Sequence, residues 1–136
     1  MISALDTNVL FDVLIPNPSW FKQSLVAIQR AASAGSLVIC DIVYAELSAQ
    51  FQTMRECDAF LAENHIRVER ISREALFDGA EAWRSYRKSG GKRDRILPDF
   101  LVASHARLQA SALVTRDSGF YRKHFADLVI VDPSKE

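Results

Sequence analysis

The chain has 136 residues, 49% of them hydrophobic, enough for one buried core and an expected single domain over 1–136. Lys plus Arg and Asp plus Glu both number 17, so overall charge does not mark a nucleic-acid binder and any polyanion site has to be a local patch. No apolar run reaches membrane-spanning length and no secretory apolar region opens the chain, so a soluble cytoplasmic protein is expected, with Cys40 and Cys57 as buried, reduced thiols.

In chain order, Ile2 to Leu5 is a short apolar run read as a strand, and Asp6-Thr7-Asn8 opens an amphipathic helix, Val9 to Ile15, that stops at Pro16. After the Pro16-Asn17-Pro18 turn, Ser19 is expected to cap a helix carrying Trp20, Leu25, Ile28 and Ala31 as far as Gly35. Leu37 to Cys40 is the second strand, and Asp41 is expected to cap the helix that carries Glu46. Met54 to Asn64 reads as a helix. Ile66 to Ile71 reads as a weaker strand whose Arg67 and Glu69 suit an edge.

Ser72 caps a helix with Ala75, Leu76, Gly79, Ala82, Trp83 and Tyr86 at helical spacing, ended by Ser89-Gly90-Gly91. From Arg84 to Arg95 the cations Arg84, Arg87, Lys88, Lys92, Arg93 and Arg95 face the single acid Asp94. Pro98 suits the first helical position, and Asp99 to Gln109 follows as a helix. Ala112 to Val114 and Leu128 to Val131 are the last strands, with the Thr115-Arg116-Asp117 turn after the first of them. Strands alternating with helices predict a three-layer α/β/α domain with a mainly parallel sheet and helices on both faces.

Four acids, Asp6, Glu46, Asp99 and Asp117, recur where a strand-like run gives way to a helix, three at the helix start and Glu46 slightly further in, and in a parallel sheet those positions share the carboxyl edge where ligands bind. Taken singly, Asp6 and Asp117 read as helix caps, Asp99 as an acid favoured by the helix macrodipole, and Glu46 as a solvated helical side chain. Capping does not explain all four. Converging carboxylates repel by roughly 4 kcal/mol per pair about 4 Å apart at an effective dielectric near 20, so the set calls for a cation. An all-carboxylate set suits Mg²⁺ or Mn²⁺. Zinc would want His or Cys at close spacing, whereas His65, His105 and His124 are scattered and expected at surfaces or helix ends. Ser104 and His105 are helix neighbours that do not face each other, and no glycine-rich phosphate loop is present.

Together, Ala4-Leu5-Asp6-Thr7-Asn8-Val9-Leu10, Val43-Tyr44-Ala45-Glu46-Leu47, Ile96 to Ala103 with Pro98-Asp99 at its centre, and Leu113 to Tyr121 with Thr115-Arg116-Asp117 resemble the four signature blocks of the PIN-domain family, in order. Within it they resemble the VapC-type toxins of bacterial toxin–antitoxin pairs. The resemblance implies a Mg²⁺- or Mn²⁺-dependent endoribonuclease with Asp6, Glu46, Asp99 and Asp117 as its acidic site, and with Thr7, Asn8 and Thr115 orienting the carboxylates. Asp6, Asp99 and Asp117 are expected to hold the metal directly, with Glu46 acting through water or a second ion. A divalent ion would activate the attacking water and offset charge on the phosphoryl oxygens.

The basic run leads into the helix bearing Asp99, so Arg87, Lys88, Lys92, Arg93 and Arg95 are RNA-binding candidates. Gly90-Gly91 would let the run move, and Tyr86 is either core or a stacking surface for an unpaired base. The implied partners are RNA, a cognate antitoxin that inserts a basic side chain among the acids, and a second copy of the chain in a homodimer. Apolar helix faces near Trp20 and Phe51 are the expected dimer material. Competing readings are a phosphorylation receiver domain, which lacks its late lysine here apart from Lys135, and a PIN fold kept for binding alone.

Overall fold

The computed structural model describes residues 1–135. Its five strands are β1 (Ile2–Leu5), β2 (Ser36–Cys40), β3 (Ile66–Glu69), β4 (Ala112–Val114) and β5 (Ile130–Val131), paired in the order β3-β2-β1-β4-β5. Every pairing is parallel. The central strands carry almost unbroken apolar runs, as strands covered on both faces require: Ser3 to Leu5, Leu37 to Cys40 and Ala112 to Val114 are all buried. The α/β class and the five strands match expectation, although the last strand shrinks to Ile130–Val131.

The helices are α1 (Thr7–Leu14), α2 (Phe21–Ala34), α3 (Asp41–Ser48), α4 (Met54–Glu63), α5 (Arg73–Lys88), α6 (Leu97–Gln109) and α7 (Ser118–His124). Strand order runs outward from β1 to β3 and then jumps back across to β4. With right-handed crossovers, α1 to α4 therefore cover one face, and α5 to α7 the other. The reversal falls between β1 and β4, so the switch point of the sheet lies where Leu5 pairs with Val114.

Local chemistry sets the helix starts. Ser72 Oγ accepts from Ala75 N at 3.1 Å and Thr53 Oγ1 from Glu56 N at 3.1 Å, so each satisfies one of the free N–H groups of a first helical turn. Two expected caps are not caps. Ser19 precedes Trp20, and α2 starts with no side-chain cap; Asp41 is already the first residue of α3, and its Oδ2 instead accepts from Ile71 N at 3.2 Å, tying α3 to the end of β3. Asp117 likewise makes no capping bond to α7.

His105 is a further correction. It lies fully buried within α6, and its Nε2 meets Glu69 Oε1 at 2.9 Å, so a histidine expected near the surface instead fastens edge strand β3 to the opposite helical layer. Glu69, read as an edge acid, is that histidine's partner. Cys40 and Cys57 are both buried and free. No helix among the described residues is long and apolar enough to cross a membrane.

Candidate metal centre and its neighbours

β1 ends at Leu5, and the next residue, Asp6, donates its backbone N–H to Val114 O at 3.0 Å, which holds the first acid directly beside the end of β4. Asp6 caps α1 through Oδ1, accepting from Thr7 N at 2.8 Å. Its other oxygen is the hub of the site. Oδ2 accepts from Thr115 Oγ1 at 2.8 Å, Tyr121 OH at 3.2 Å and Asn8 Nδ2 at 3.4 Å. Burial outweighs these bonds and lifts the Asp6 carboxyl to about 6, with the nearby charge of Glu46 adding in the same direction.

Thr115 uses its whole hydroxyl. It donates to Asp6 and accepts from Asn8 Nδ2 at 3.0 Å and from Asp117 N at 3.0 Å, one donor and two lone pairs all engaged. Asn8 closes the ring by accepting from Arg116 N at 3.1 Å. Thr7 Oγ1 donates to Glu46 Oε1 at 2.7 Å and so draws α3 to the same place. The structure thus brings Thr7, Asn8 and Thr115 onto the acids.

Asp6, Glu46, Asp99 and Asp117 line one cleft of about 280 Å³ at the switch point, together with Tyr121 and apolar side chains from α1, α3 and α6. Asp99 reaches it from the first turn of α6, where its Oδ2 accepts from Ile96 N at 3.1 Å; partial burial pushes its carboxyl up, opposed by that bond and by Arg95. Asp117 is held by Arg95, whose guanidinium forks onto both of its oxygens, one contact at 3.0 Å and the other shorter. The same guanidinium lies over the Phe120 ring, 4.2 Å from its centroid.

Among the described residues no three His, Cys, Asp or Glu side chains form a ready cage for a metal; the acids share a cleft rather than converging on one point. The donor chemistry still fits a hard cation. Mg²⁺ takes only one or two protein carboxylates and completes its shell with water and substrate phosphate, and all four candidates here offer carboxylate oxygen. Arg95 supplies the complementary observation, since a fixed positive charge already sits on Asp117.

The basic run divides. Arg95 reaches the acids and Lys92 lines a larger adjoining groove, but Arg87, Lys88 and Arg93 line neither. Arg87 instead lies over Trp83, 5.0 Å from its ring centroid. Gly90, with φ of 79°, makes the turn, yet the loop is pinned: Tyr86 OH donates to Lys92 O at 2.7 Å, and a Cβ at Gly91 would lie 2.5 Å from the Tyr86 ring. Tyr86 therefore serves the loop and packs on Phe100 with ring centroids 5.3 Å apart, while part of its ring lines the larger groove. Trp20 and Phe51 are half-buried, Trp20 under Arg116 and Phe51 against Phe60.

Sequence reasoning missed three contributors. Tyr121 passes as a core aromatic until its hydroxyl is seen on Asp6. Buried Asp12 accepts from Arg116 Nε at 2.7 Å, Arg116 Nη2 at 2.9 Å and Ser24 Oγ at 2.6 Å, clamping the β4–α7 turn between α1 and α2. Ser118 is bonded to Asp132, which ties the start of α7 to the chain after β5. One signal was available for Asp12, an acid on the inward spacing of an amphipathic helix.

A wholly parallel α/β sheet with an acidic cleft at its switch point defines a protein built for ligand chemistry at its strand ends. The chain belongs to the PIN domain family, whose family model matches residues 4–126. Among solved structures it is similar to a chain of VapBC2 from Rickettsia felis bound to a promoter DNA fragment (24% identity, TM-score 0.72, 97% of this chain and 98% of that one). It is also similar to VapBC-1 from nontypeable Haemophilus influenzae (22%, 0.73, 98% and 99%) and to FitAB bound to IR36 DNA (21%, 0.67, 98% and 95%). No curated protein matches it.

Proposed function

We propose that the chain is a Mg²⁺- or Mn²⁺-dependent endoribonuclease and the toxin of a toxin–antitoxin pair. The observation that carries the reading is the meeting of four carboxylates, from four separate stretches of chain, in one cleft beside a guanidinium. Asp6, Asp99 and Asp117 would hold the cation, with Glu46 acting through water or a second ion. When bound, such an ion activates the attacking water and neutralises charge on the scissile phosphate. The chain's own residues do the rest. Thr115, Asn8 and Tyr121 fix the orientation of Asp6, Thr7 fixes Glu46, and Arg95, once released from Asp117, is within the site to pair with a phosphate oxygen.

The receiver-domain alternative fails on the family assignment and on the cleft, whose lining contains no lysine. A binding-only PIN domain differs from the proposal in turnover alone. Incubation with a mixed RNA pool should yield metal-dependent cleavage, abolished by EDTA and by Asp99→Asn. Asp99→Asn should also leave the melting temperature unchanged or higher, because it removes one of the mutually repelling acids. RNA left intact by the wild type with Mg²⁺ or Mn²⁺ sinks the enzyme reading.

The partner proposed is an antitoxin, since the similar structures are VapBC and toxin–antitoxin complexes. A homodimer is proposed as well, with exposed Phe77 and Leu76 of α5 as its apolar surface in place of half-buried Trp20 and Phe51. Sedimentation of Phe77→Glu checks this, and an unchanged dimer moves the interface elsewhere. The setting proposed is the cytoplasm, where the free thiols Cys40 and Cys57 stay reduced.

A further inference from the structure

Next to the acid cleft lies a second and larger depression of about 800 Å³, formed by the last turns of α5, the pinned basic loop and one side of α7. Its charged walls are Lys92, Arg95 and Lys123 against the single acid Asp94, the reverse of the cleft's charge. Arg95 joins the two. It lines the groove, stacks on Phe120 and holds Asp117, so a chain of phosphates leaving the acids meets Arg95 first and then the groove.

The flat surfaces there are the Arg95–Phe120 stack, the ring of His124, 5.2 Å from Phe120, and the ring of Tyr86, edge-on to His124 at 5.1 Å. Guanidinium planes and imidazoles are the platforms on which unpaired bases stack, while cations placed beside them take the backbone. Gly119, at the start of α7, adds open floor: a Cβ there would meet nothing within 4 Å. A glycine inside a helix costs up to about 1 kcal/mol relative to alanine. Here the missing side chain keeps the groove wide.

We propose that this groove holds the unpaired nucleotide adjoining the scissile phosphate, with its base against the Arg95–Phe120 stack and His124 and its phosphate at Lys92 and Lys123. The proposal rests on the ribonuclease reading and extends it from the bond that is cut to the nucleotide beside it. Charge selects this occupant, since Lys92 and Lys123 outnumber the single acid Asp94, and Arg95 adds its charge once it leaves Asp117, so the groove favours a polyanion over an arginine-bearing protein tail.

The test uses a fluorescently labelled single-stranded RNA of mixed sequence, bound to the full chain carrying Asp99→Asn so that the strand stays intact, and read by anisotropy over a series of salt concentrations. Gly119→Leu should raise Kd about tenfold while the melting temperature holds or rises. Lys92→Ala with Lys123→Ala should lower the log–log salt slope by about 1.4, two phosphate contacts at about 0.7 each. Mn²⁺ binding, followed by calorimetry in an Asp99-intact chain, should be the same with and without these changes. If the parent binds RNA and the wild type cuts it, yet these variants bind like the parent, the groove proposal falls and the ribonuclease reading stands. If the wild type neither binds nor cuts RNA, both fall. If Gly119→Leu weakens only the binding of a protein partner, the groove is a protein site and the proposal is overturned.

Discussion

Arg95 and Asp6 together decide the charge state of the acidic cleft. Arg95 occupies both oxygens of Asp117, so a cation that needs those oxygens has to displace it. A partly exposed ion pair of this kind is worth about 1 kcal/mol, and Arg95→Ala should therefore raise Mn²⁺ affinity about fivefold while weakening RNA binding, as calorimetry and anisotropy would report. An unchanged Mn²⁺ affinity would mean that Asp117 is not a metal ligand. Asp6 sets a pH dependence. Its carboxyl ionises near 3.8 in the unfolded chain and near 6 when folded, so the folded state gains stability from the bound proton below about pH 4 and loses it as pH rises through 6. In EDTA the wild type should lose about 2 kcal/mol between pH 4 and 7 through this group, a slope that Asp6→Asn removes. Parallel denaturant titrations of the two proteins at pH 4, 5, 6 and 7 check it.

Between elements, the contact that shapes the site is that of α5 with α6, because it carries the basic loop to the acidic cleft. Gly79 is what lets the two helices close: a Cβ there would stand 2.8 Å from Leu101 Cδ2 and 3.1 Å from Phe100 O. Gly79→Val should cost about 2 kcal/mol through overpacking, despite valine's better helix propensity, and a denaturant midpoint shift at constant slope would show it. The sequence carries Gly79 only as one member of a helical stripe, with nothing to mark a close approach. The elements themselves were legible because the central strands are almost unbroken apolar runs and Ser72 and Pro98 punctuate the helices in the usual way. Asp6 and Asp117 were legible because they stand just past strand ends, whereas Asp99 follows helix α5 and a loop and Glu46 lies inside α3. What stayed hidden depends on contacts made across long sequence separations. Tyr121 reaches Asp6 over 115 positions, Arg116 reaches Asp12 over 104 and His105 reaches Glu69 over 36. Ser19 and Asp41 have the right chemistry for caps, yet α2 begins after Trp20 and Asp41 is drawn to Ile71.

For the molecule as a whole, equal numbers of acids and bases conceal a segregated surface, an acidic cleft beside a basic groove. The cleft would attract an arginine-bearing antitoxin tail by the same fork geometry that Arg95 uses, and such a tail competes with both Arg95 and metal for carboxylate oxygen. Millimolar Mn²⁺ should weaken the tail's hold on the wild type, and Asp6→Asn should bind it less tightly. Equal affinity for wild type and Asp6→Asn would mean that the tail acts away from the acids. The buried thiols offer a clock for the motions that all these exchanges require. Cys40 ends β2, where burial lifts its thiol to about 11, and Cys57 lies sealed inside α4. Neither can meet an alkylating reagent as a thiolate until its surroundings part. The labelling rate of Cys40 thus times the opening of the sheet beside its carboxyl edge, while that of Cys57 times the lifting of α4. Equal rates mean that the fold opens as one cooperative body, and unequal rates divide it into parts that breathe separately.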